Sequence, residues 1–327
     1  MNNDSLSEQL NVLVGAPLHD LNVVPRRNAN NALYRLKSTS GIFAAKVFHG
    51  IKPKDVARFE RECAALRFFN THKIEHVVQA HAIDTQNKII IYPWIDGPRP
   101  NADATFVDAA WKLAETLYSK GKHSEPTALS DATEACLCLD ELCHQIKTRL
   151  QRLRQRDIPA SAELSGLLNM IDEKLSVAET KAARWFVDTS VPLPQQHRMP
   201  SPSDFGAHNA LVSPSGPVFI DFEYFGWDDP VKLTADFMWH PGMSLDQTLR
   251  ARSHAHAVRI FAEDGSFTER LRMLYPLYGL RWAVIILNPF VPDRWQRMID
   301  AGESRYHDDV LGKQLEHAAA YVATATP

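Results

Sequence analysis

The sequence predicts an α+β protein, with strands concentrated in its N-terminal part and helices in most of the remainder. Two short apolar runs, 33–36 and 42–48, flank a turn at 38–41, as in a β-hairpin. Amphipathic helices are predicted from apolar side chains at three- and four-residue spacing over 106–118, 132–155 and 161–186. A chain of 327 residues can bury a sizeable core, either as one two-lobed unit or as two small domains.

A lysine and a glutamate in the N-terminal part are candidates for binding phosphate. Lys46 lies inside the second apolar run, where it is either a charge on an edge strand or a phosphate ligand. A helix is predicted over 54–70, and Glu62 lies beside its apolar stripe. In protein kinases a strand lysine holds the α- and β-phosphates of ATP and pairs with a glutamate on the next helix. A solvated lysine and glutamate are the alternative interpretation of this pair.

Two aspartates and an asparagine farther along have the residue types that phosphoryl transfer needs. Asp204 and Asn209 form the pattern Asp-X-X-X-X-Asn, and Asp221 ends a short hydrophobic run. Strands predicted over 210–212 and 217–220, joined by a turn, would return Asp221 to the side of Asn209. Phosphoryl transfer requires an oriented hydroxyl and Mg²⁺, a hard cation that prefers oxygen ligands. We therefore interpret Asp204 as the acceptor of the hydroxyl proton, and the other two as metal ligands.

The order of these motifs resembles the aminoglycoside phosphotransferase and choline kinase superfamily over residues 20–240. The resemblance is carried by Lys46, the helix with Glu62, a strand predicted at 88–92, and the loop and hairpin described above. It is more specific than any one motif, because all of them follow one another in the order that the superfamily has.

The resemblance implies a bilobal protein-kinase-like fold, with a small antiparallel-sheet N-lobe and a mainly helical C-lobe. The N-lobe, with a nucleotide-covering loop and a hinge, would span 1–97, and the C-lobe, with the catalytic loop and acceptor site, would span 98–327. ATP and Mg²⁺ would be the cofactors, and a hydroxyl of a small molecule the acceptor. Asp204 would be the catalytic base, with Asn209 and Asp221 on the metal. The residues implied for the nucleotide are Lys46, Glu62, Pro93, Trp94 and Ile95.

Two departures from the superfamily favour a second hypothesis, a catalytically silent nucleotide-binding protein or scaffold. Members usually carry His-Gly-Asp or His-Asn-Asp at the catalytic loop, whereas Pro202 and Ser203 precede Asp204 here. The covering loop at 26–32 also lacks glycine, although its asparagines tolerate positive φ and Arg26 or Arg27 could reach phosphate. A polar turn with two solvated arginines is the alternative. A third hypothesis is a two-domain protein with no nucleotide site.

Composition and charge exclude several other classes of protein. The net charge of −3 carries no basic signature of nucleic-acid binding. The N-terminus is polar and acidic, and the apolar stretches are far shorter than the roughly 20 residues of a membrane span, so we expect a cytoplasmic protein. Four cysteines are too few for a disulfide framework. We expect Cys136 and Cys143, a heptad apart in a predicted helix, to be reduced core residues rather than zinc ligands.

The acceptor must be inferred from the segment after Asp221. Beyond Asp236, acids are balanced by arginines, which argues against a polycationic antibiotic and leaves sugars, amino alcohols or cell-envelope precursors. A quaternary ammonium would need aromatic faces. The candidates are Trp227, Trp239 and Trp282, of which we expect at least two to be core residues.

Arginines offer two further candidate sites, both for anions. Arg281, on a helix predicted over 277–287, would bind a carboxylate or phosphate of the acceptor, or else pair with nearby acids. A cluster at the end of a predicted helix would form either a solvated face or an anion or partner site. Its members are Arg149, Arg152, Arg154 and Arg156.

Overall fold

A five-stranded antiparallel sheet forms the N-terminal part of the protein, in the strand order β1-β2-β3-β5-β4. The computed structural model describes residues 3–25, 31–48, 53–155, 161–300 and 303–325. The strands are β1 (Leu18–Val23), β2 (Asn31–Ser38), β3 (Gly41–Phe48), β4 (Ala82–Asp84) and β5 (Ile89–Pro93). Strands β2, β3 and β5 confirm the sequence predictions, whereas β1 and β4 were not predicted. Of the predicted sites, Arg26, Arg27, Asn28, Asn30 and Arg156 lie outside the described residues.

Two helices cover the faces of this sheet. Helix α1 (Asn3–Val14), which was not predicted, packs its apolar side chains against one face. Helix α2 (Pro53–His72) confirms the predicted helix and lies against the other, where the rings of Phe48 and Phe59 pack with centroids 5.5 Å apart. That packing turns the buried side of α2, including Glu62, toward β3. The α1 cluster is formed by Leu6, Leu10, Val14, Leu36, Phe43, Ala45, Ile89 and Ile91.

Helices make up most of the remaining chain, so the predicted α+β class is confirmed. They are α3 (Ala104–Gly121), α4 (Leu139–Arg154), α5 (Ala162–Ala183), α6 (Pro230–Trp239), α7 (Gln247–Ile260), α8 (Phe267–Ile286), α9 (Pro292–Asp300) and α10 (His307–Thr324). Helix α8 packs against α4, α5, α6 and α10 and is therefore the central helix of this region. Among the described residues, none of these helices combines the length and the hydropathy that crossing a bilayer needs. The boundary expected at residue 97 stays a prediction.

Two small antiparallel ladders connect the helices near the predicted catalytic loop. Strands β7 (Ala210–Ser213) and β8 (Gly216–Phe219) form the predicted hairpin, and β6 (Met199–Ser201) pairs with β9 (Gly226–Asp228). The amide of Ile220 donates to the Asn209 carbonyl over 2.9 Å, which continues the β7–β8 ladder by one more step. The hairpin therefore brings Asp221 beside Asn209, as its sequence pattern predicted.

The helix predicted over 132–155 begins only at Leu139, so the prediction is wrong for residues 132–138. The backbone before it bonds to a distant loop instead, since the amides of Ala132 and Thr133 donate to the carbonyls of Trp227 and Tyr224. The Asp228 carboxylate accepts from the Cys136 amide over 3.1 Å. These pairings hold the segment against the loop that follows Asp221. The expectation of reduced core cysteines is confirmed for both thiols, which are free and buried.

A close backbone contact joins the segment after β5 to the β7–β8 hairpin. The Val212 amide donates to the Pro98 carbonyl over 2.8 Å. A Cβ atom added to Gly97 would lie 1.8 Å from the Val212 carbonyl oxygen, so only glycine permits this approach.

Replacing Gly97 by alanine should therefore lower the free energy of unfolding by about 1–3 kcal/mol, the usual cost of overpacking. Urea denaturation of both proteins measures the difference. Gly166→Ala is the matched control, because a Cβ there meets open space on α5 and should stabilise the helix by about 0.5–1 kcal/mol. A Gly97→Ala variant as stable as the parent would contradict the contact.

Candidate active site

Lys46 joins the sheet, helix α2 and the loop after β8 at a single point. Its ammonium group donates to Glu62, its closest partner, and to Asp221 Oδ1 at 2.6 Å. Glu223 Oε2 is also near, 3.4 Å from Lys46 Nζ. The other oxygen of Glu62 accepts a hydrogen bond of 2.6 Å from the Tyr92 hydroxyl. The Lys46 and Glu62 pair is thus buried and shared with Asp221, and the solvated alternative is wrong.

The charge state of Lys46 follows from these neighbours. Burial alone would lower the pKa of Lys46, but Asp221, Glu62 and Glu223 outweigh it and hold that pKa above its usual value. Lys46 is therefore a fixed positive charge at any pH at which the protein would work.

Carboxylates outnumber the cations around Lys46. Oxygens of Glu62, Asp221 and Glu223 lie within 4.8 Å of one another, so three negative charges converge on one ammonium group. Arg58 is a more distant cation, 3.6 Å from Glu223, and the Asn31 amide donates to the same carboxylate over 2.7 Å. The three carboxylates outnumber the two cations by one, so the cluster keeps a negative charge, and carboxylate oxygens are the ligands that Mg²⁺ prefers.

Asn209 faces the same cluster from the catalytic loop. Its side-chain amide donates to the Asp204 backbone carbonyl over 3.0 Å, which fixes the side chain and leaves its carbonyl oxygen as a possible metal ligand. Asp221 has φ +66°, in the left-handed region that aspartate and asparagine tolerate better than most residues. This backbone conformation follows β8 directly and aims the carboxylate at Lys46.

A cavity of about 270 Å³ lies between the sheet and the hairpin and contains these residues. One end is polar, with Lys46, Glu62, Asn209 and Asp221 in its wall. The other end is apolar, and the segment after β5 closes it. The apolar wall is formed by Val24, Leu33, Ala44, Val78, Pro93, Trp94, Ile95, Leu211 and Ile220. The structure therefore brings seven of the eight predicted site residues to one cavity, with Asp204 beside it.

The segment after β5 continues the pairing with β3 by one residue. The Trp94 amide donates to the Ile42 carbonyl over 3.0 Å and is therefore used by the sheet. Pro93 and Ile95, on either side of it, are the residues whose backbone groups could meet a planar base.

Asp204 lies between two stacked histidines. His208 Nε2 and Asp204 Oδ1 are 2.9 Å apart, and His240 Nε2 lies 3.7 Å from the same oxygen. The two imidazole rings stack with centroids 4.3 Å apart. Burial works to raise the pKa of Asp204, but the hydrogen bond from His208 and the proximity of both histidines outweigh it. The pKa of Asp204 is thus held below its usual value, and the side chain, 35% exposed, is an ionised acceptor.

Comparison with known proteins gives a clear result for the fold. No family model matches the sequence, and no curated protein matches it. A spectinomycin phosphotransferase solved with ADP and spectinomycin aligns over 98% of both chains, with a TM-score of 0.62 and 13% identity. Choline kinase from Streptococcus pneumoniae also covers 98% of both chains, with a TM-score of 0.62 and 16% identity. An amicoumacin kinase with AMP-PNP and Ca²⁺ covers 100% of this chain and 96% of its own, with a TM-score of 0.60 and 12% identity.

The protein has the fold of the small-molecule kinases. The predicted bilobal protein-kinase-like fold is thereby confirmed. At these identities the likeness concerns the fold, and the roles of individual residues rest on the geometry described above.

Within this kinase-like fold, the departure just before Asp204 has a physical explanation. Ser203 has φ +63°, in the left-handed region where glycine and asparagine are the usual residues. Its hydroxyl donates to the Thr133 carbonyl over 3.2 Å and accepts from the Lys232 ammonium over 3.1 Å. These bonds hold a serine in a conformation that otherwise costs about 1 kcal/mol or more. Ser203 is thus held in a backbone conformation in which glycine or asparagine is the usual residue.

Lys232 is a buried residue that sequence reasoning missed. Its ammonium lies 3.0 Å from Asp228 and 3.1 Å from Asp236, and all three side chains are buried. The spacing of four residues between Lys232 and Asp236 was the available signal, since it places both side chains on one face of α6, whereas Asp228 lies at the end of β9 and is brought close by the fold. The stacked histidines were missed as well, because His240 is distant in sequence from Asp204 and only the end of α6 brings them together.

The remaining candidates divide between the core and the cleft. Trp227 and Trp239 are buried core residues, as expected for at least two of the three tryptophans. Trp282 is half-buried, with its indole N–H donating to Asp236 and its ring against His240. Arg281 is buried and pairs with Asp236 at 3.2 Å and Glu134 at 2.9 Å, which is the ion-pair alternative for this residue.

The His240 imidazole should make stability pH-dependent. Burial first, and then the neighbouring His208, lower the pKa of His240 from 6.5 to about 4. Between these values the unfolded chain binds more protons than the folded one, so the free energy of unfolding decreases as the pH falls. We expect the protein to lose about 2 kcal/mol between pH 7 and pH 5 from this group. Urea denaturation at both pH values measures it, and a His240→Gln variant should lose correspondingly less. Equal losses in both proteins would contradict the assignment.

Proposed function

We propose that the protein is an ATP- and Mg²⁺-dependent phosphotransferase that phosphorylates a hydroxyl group of a small molecule. One observation carries the proposal: Lys46 pairs with both Glu62 and Asp221 in the wall of a cavity that the segment after β5 closes. A structural ion pair would need neither the excess of carboxylates nor the adjoining apolar space. The kinase-like fold of the chain supports the same conclusion.

ATP fits the two ends of this cavity. The adenine would occupy the apolar end, against the backbone of Pro93, Trp94 and Ile95, and the phosphates would extend toward Lys46. Glu62 holds the lysine in place, and its own position depends on the Tyr92 hydroxyl. A lysine that is already fixed and charged can hold phosphate oxygens without reorganisation.

The donor set near Lys46 suits Mg²⁺. Asp221 and Asn209 would hold the ion, and Glu223 is an additional candidate ligand that the sequence analysis did not assign. When bound, Mg²⁺ would supply charge neutralisation to the phosphate oxygens.

Asp204 would act as the base. Its carboxylate is ionised and partly exposed, with one oxygen held by His208. The second oxygen can accept the hydroxyl hydrogen of the acceptor and so orient its oxygen toward the γ-phosphate. Trp282 and His240 would form the wall beside that hydroxyl.

The acceptor class follows from the charges around Asp204. Arg281 is paired with Asp236, and Lys232 lies 3.0 Å from Asp228 and 3.1 Å from Asp236, so buried cations offset the carboxylates of this region and leave it without the acidic excess that a polycation would need. We therefore propose sugars, amino alcohols or cell-envelope precursors as the acceptors. The cytoplasmic location expected from the sequence stays part of the proposal, because an ATP-dependent kinase works where ATP is plentiful.

A second candidate function is a catalytically silent nucleotide-binding protein. It is favoured by the proline at position 202 and by the engagement of Asp204 with two histidines. Such a protein would keep the nucleotide cavity and lose only the chemical step.

Two measurements separate these functions. The first is the rise in melting temperature with Mg·ATP, and the second is ADP formation across a panel of sugars, amino alcohols and cell-envelope precursors. A rise together with acceptor-dependent ADP formation is expected for the kinase. A rise with no ADP formation on any acceptor would favour the silent protein, and no rise at all would contradict both.

A further inference from the structure

A second cavity, with a volume of about 160 Å³, lies between the C-terminal end of α4, the end of α8 and helix α9. Three arginines line it, two from α4 and one from α9: Arg149, Arg152 and Arg294. Asn288 contributes a side-chain amide, and Leu153, Val284, Ile285 and Val291 complete the wall. We call this space the arginine cavity. It is smaller than the roughly 300–1,000 Å³ of drug-sized ligand sites.

The arginine cavity has an excess of positive charge. Glu134 is the one carboxylate among its described lining residues. Both oxygens of Glu134 already accept from Arg149 at 2.6 Å, and one also accepts from the buried Arg281 at 2.9 Å. Arg152 and Arg294 have no comparable carboxylate partner among the described residues. The guanidinium groups of Arg152 and Arg294 are therefore not neutralised by a carboxylate of the described residues.

Burial and neighbouring like charges both act on Arg294. Partial burial, and then the neighbouring Arg297 and Arg152, lower the pKa of Arg294 although much of the residue is exposed, and Glu134 opposes them. Arg149 behaves alike, since burial and Arg281 lower its pKa although it pairs with Glu134. The neighbouring like charges thus disfavour the protonated form of both arginines, and a bound anion would favour it.

We propose that the arginine cavity binds an oxyanion, a phosphate or carboxylate group carried by a small molecule. The planar guanidinium fork matches both groups, and several arginines converging on a concave surface favour an anion over a solvated face. The cavity also adjoins the catalytic loop. Glu134 follows Thr133, whose carbonyl accepts from Ser203, the residue before Asp204. The anion-binding role considered for Arg281 is therefore assigned to Arg152 and Arg294, which are exposed.

The experiment uses the rise in melting temperature that pyrophosphate produces in the whole protein. The double variant Arg152→Gln/Arg294→Gln removes two guanidinium groups and leaves the Arg149 pair with Glu134 intact. Arg154→Gln is the matched control, because this arginine lies on the same helix but pairs with Asp172 outside the cavity. A Lys46→Met variant reports on pyrophosphate bound at the nucleotide cavity instead.

We expect pyrophosphate affinity to fall about tenfold or more in the double variant, and to be unchanged in Arg154→Gln. The rise should persist in Lys46→Met. No rise in the parent protein, or a rise lost in Lys46→Met and kept in the double variant, would overturn the proposal. Neither outcome depends on turnover, so this test can fail independently of the proposed kinase activity.

A second arm identifies the source of the anion and rests on the proposed function. If the group belongs to the acceptor, the double variant raises the KM for that acceptor and leaves the KM for ATP unchanged. If the anion belongs to a separate effector, the double variant has the same KM values as the parent. It then differs from the parent only in that added phosphate no longer changes its turnover rate.

Discussion

Replacing Asp221 by asparagine is expected to lower Mg·ATP-dependent turnover by on the order of a thousandfold. Asp221 is the carboxylate that the sequence assigns to the metal and that also lines the cavity, and an amide cannot neutralise the ion's charge. Asparagine keeps the size of the side chain and tolerates the φ of +66° at this position, so the fold should survive. The measurement is kcat at saturating ATP over a range of Mg²⁺ concentrations.

The matched control for this prediction is Asp131→Asn. Asp131 has a side chain that is 55% exposed and does not line the nucleotide cavity, so turnover should be unchanged. Lys46 would lose one of its carboxylate partners in Asp221→Asn but would keep Glu62. Turnover above about a tenth of the parent value would remove Asp221 from the metal site, because a lost metal ligand costs far more than that.

The sequence predicted the parts of the site that depend on local patterns. Alternation and turn residues predicted β2, β3 and the β7–β8 hairpin, and helical spacing predicted α2. Once these elements form, the positions of Lys46, Glu62, Asn209 and Asp221 follow, because each lies at a defined register within its element. Their convergence on one cavity is the outcome of that register.

The parts that were missed depend on contacts between distant segments. Residues 132–138 have helix-compatible spacing, yet their amides bond to the loop around Trp227, and Glu134 takes φ +58°. Tertiary hydrogen bonds thus override the local preference. The same holds for Ser203, whose left-handed conformation is stabilised by Lys232 from α6 and by Thr133. A sequence shows an unusual residue at such a position but not the partners that make it acceptable.

Replacing Asp204 by asparagine tests the base of the proposed kinase. We expect kcat to fall about 10²–10⁴-fold, the usual contribution of a positioned general base. Asparagine has the same size as aspartate and can still accept a hydrogen bond from His208, but it cannot take up the proton of the hydroxyl group. Nucleotide binding should not change, because Asp204 lies beside the nucleotide cavity and does not line it. The measurements are kcat with the best acceptor of the panel and the rise in melting temperature with Mg·ATP.

His208→Gln is the comparison that distinguishes Asp204, as the base, from His208, as the residue that positions it. Its amide can still donate to Asp204, so a supporting role predicts a loss of turnover much smaller than that of Asp204→Asn. If Asp204→Asn instead keeps full turnover while Asp221→Asn abolishes it, the hydroxyl needs no base at this position and the metal site alone carries the reaction. Because phosphoryl transfer depends mainly on positioning and charge neutralisation, that outcome would reassign Asp204 without removing the kinase activity.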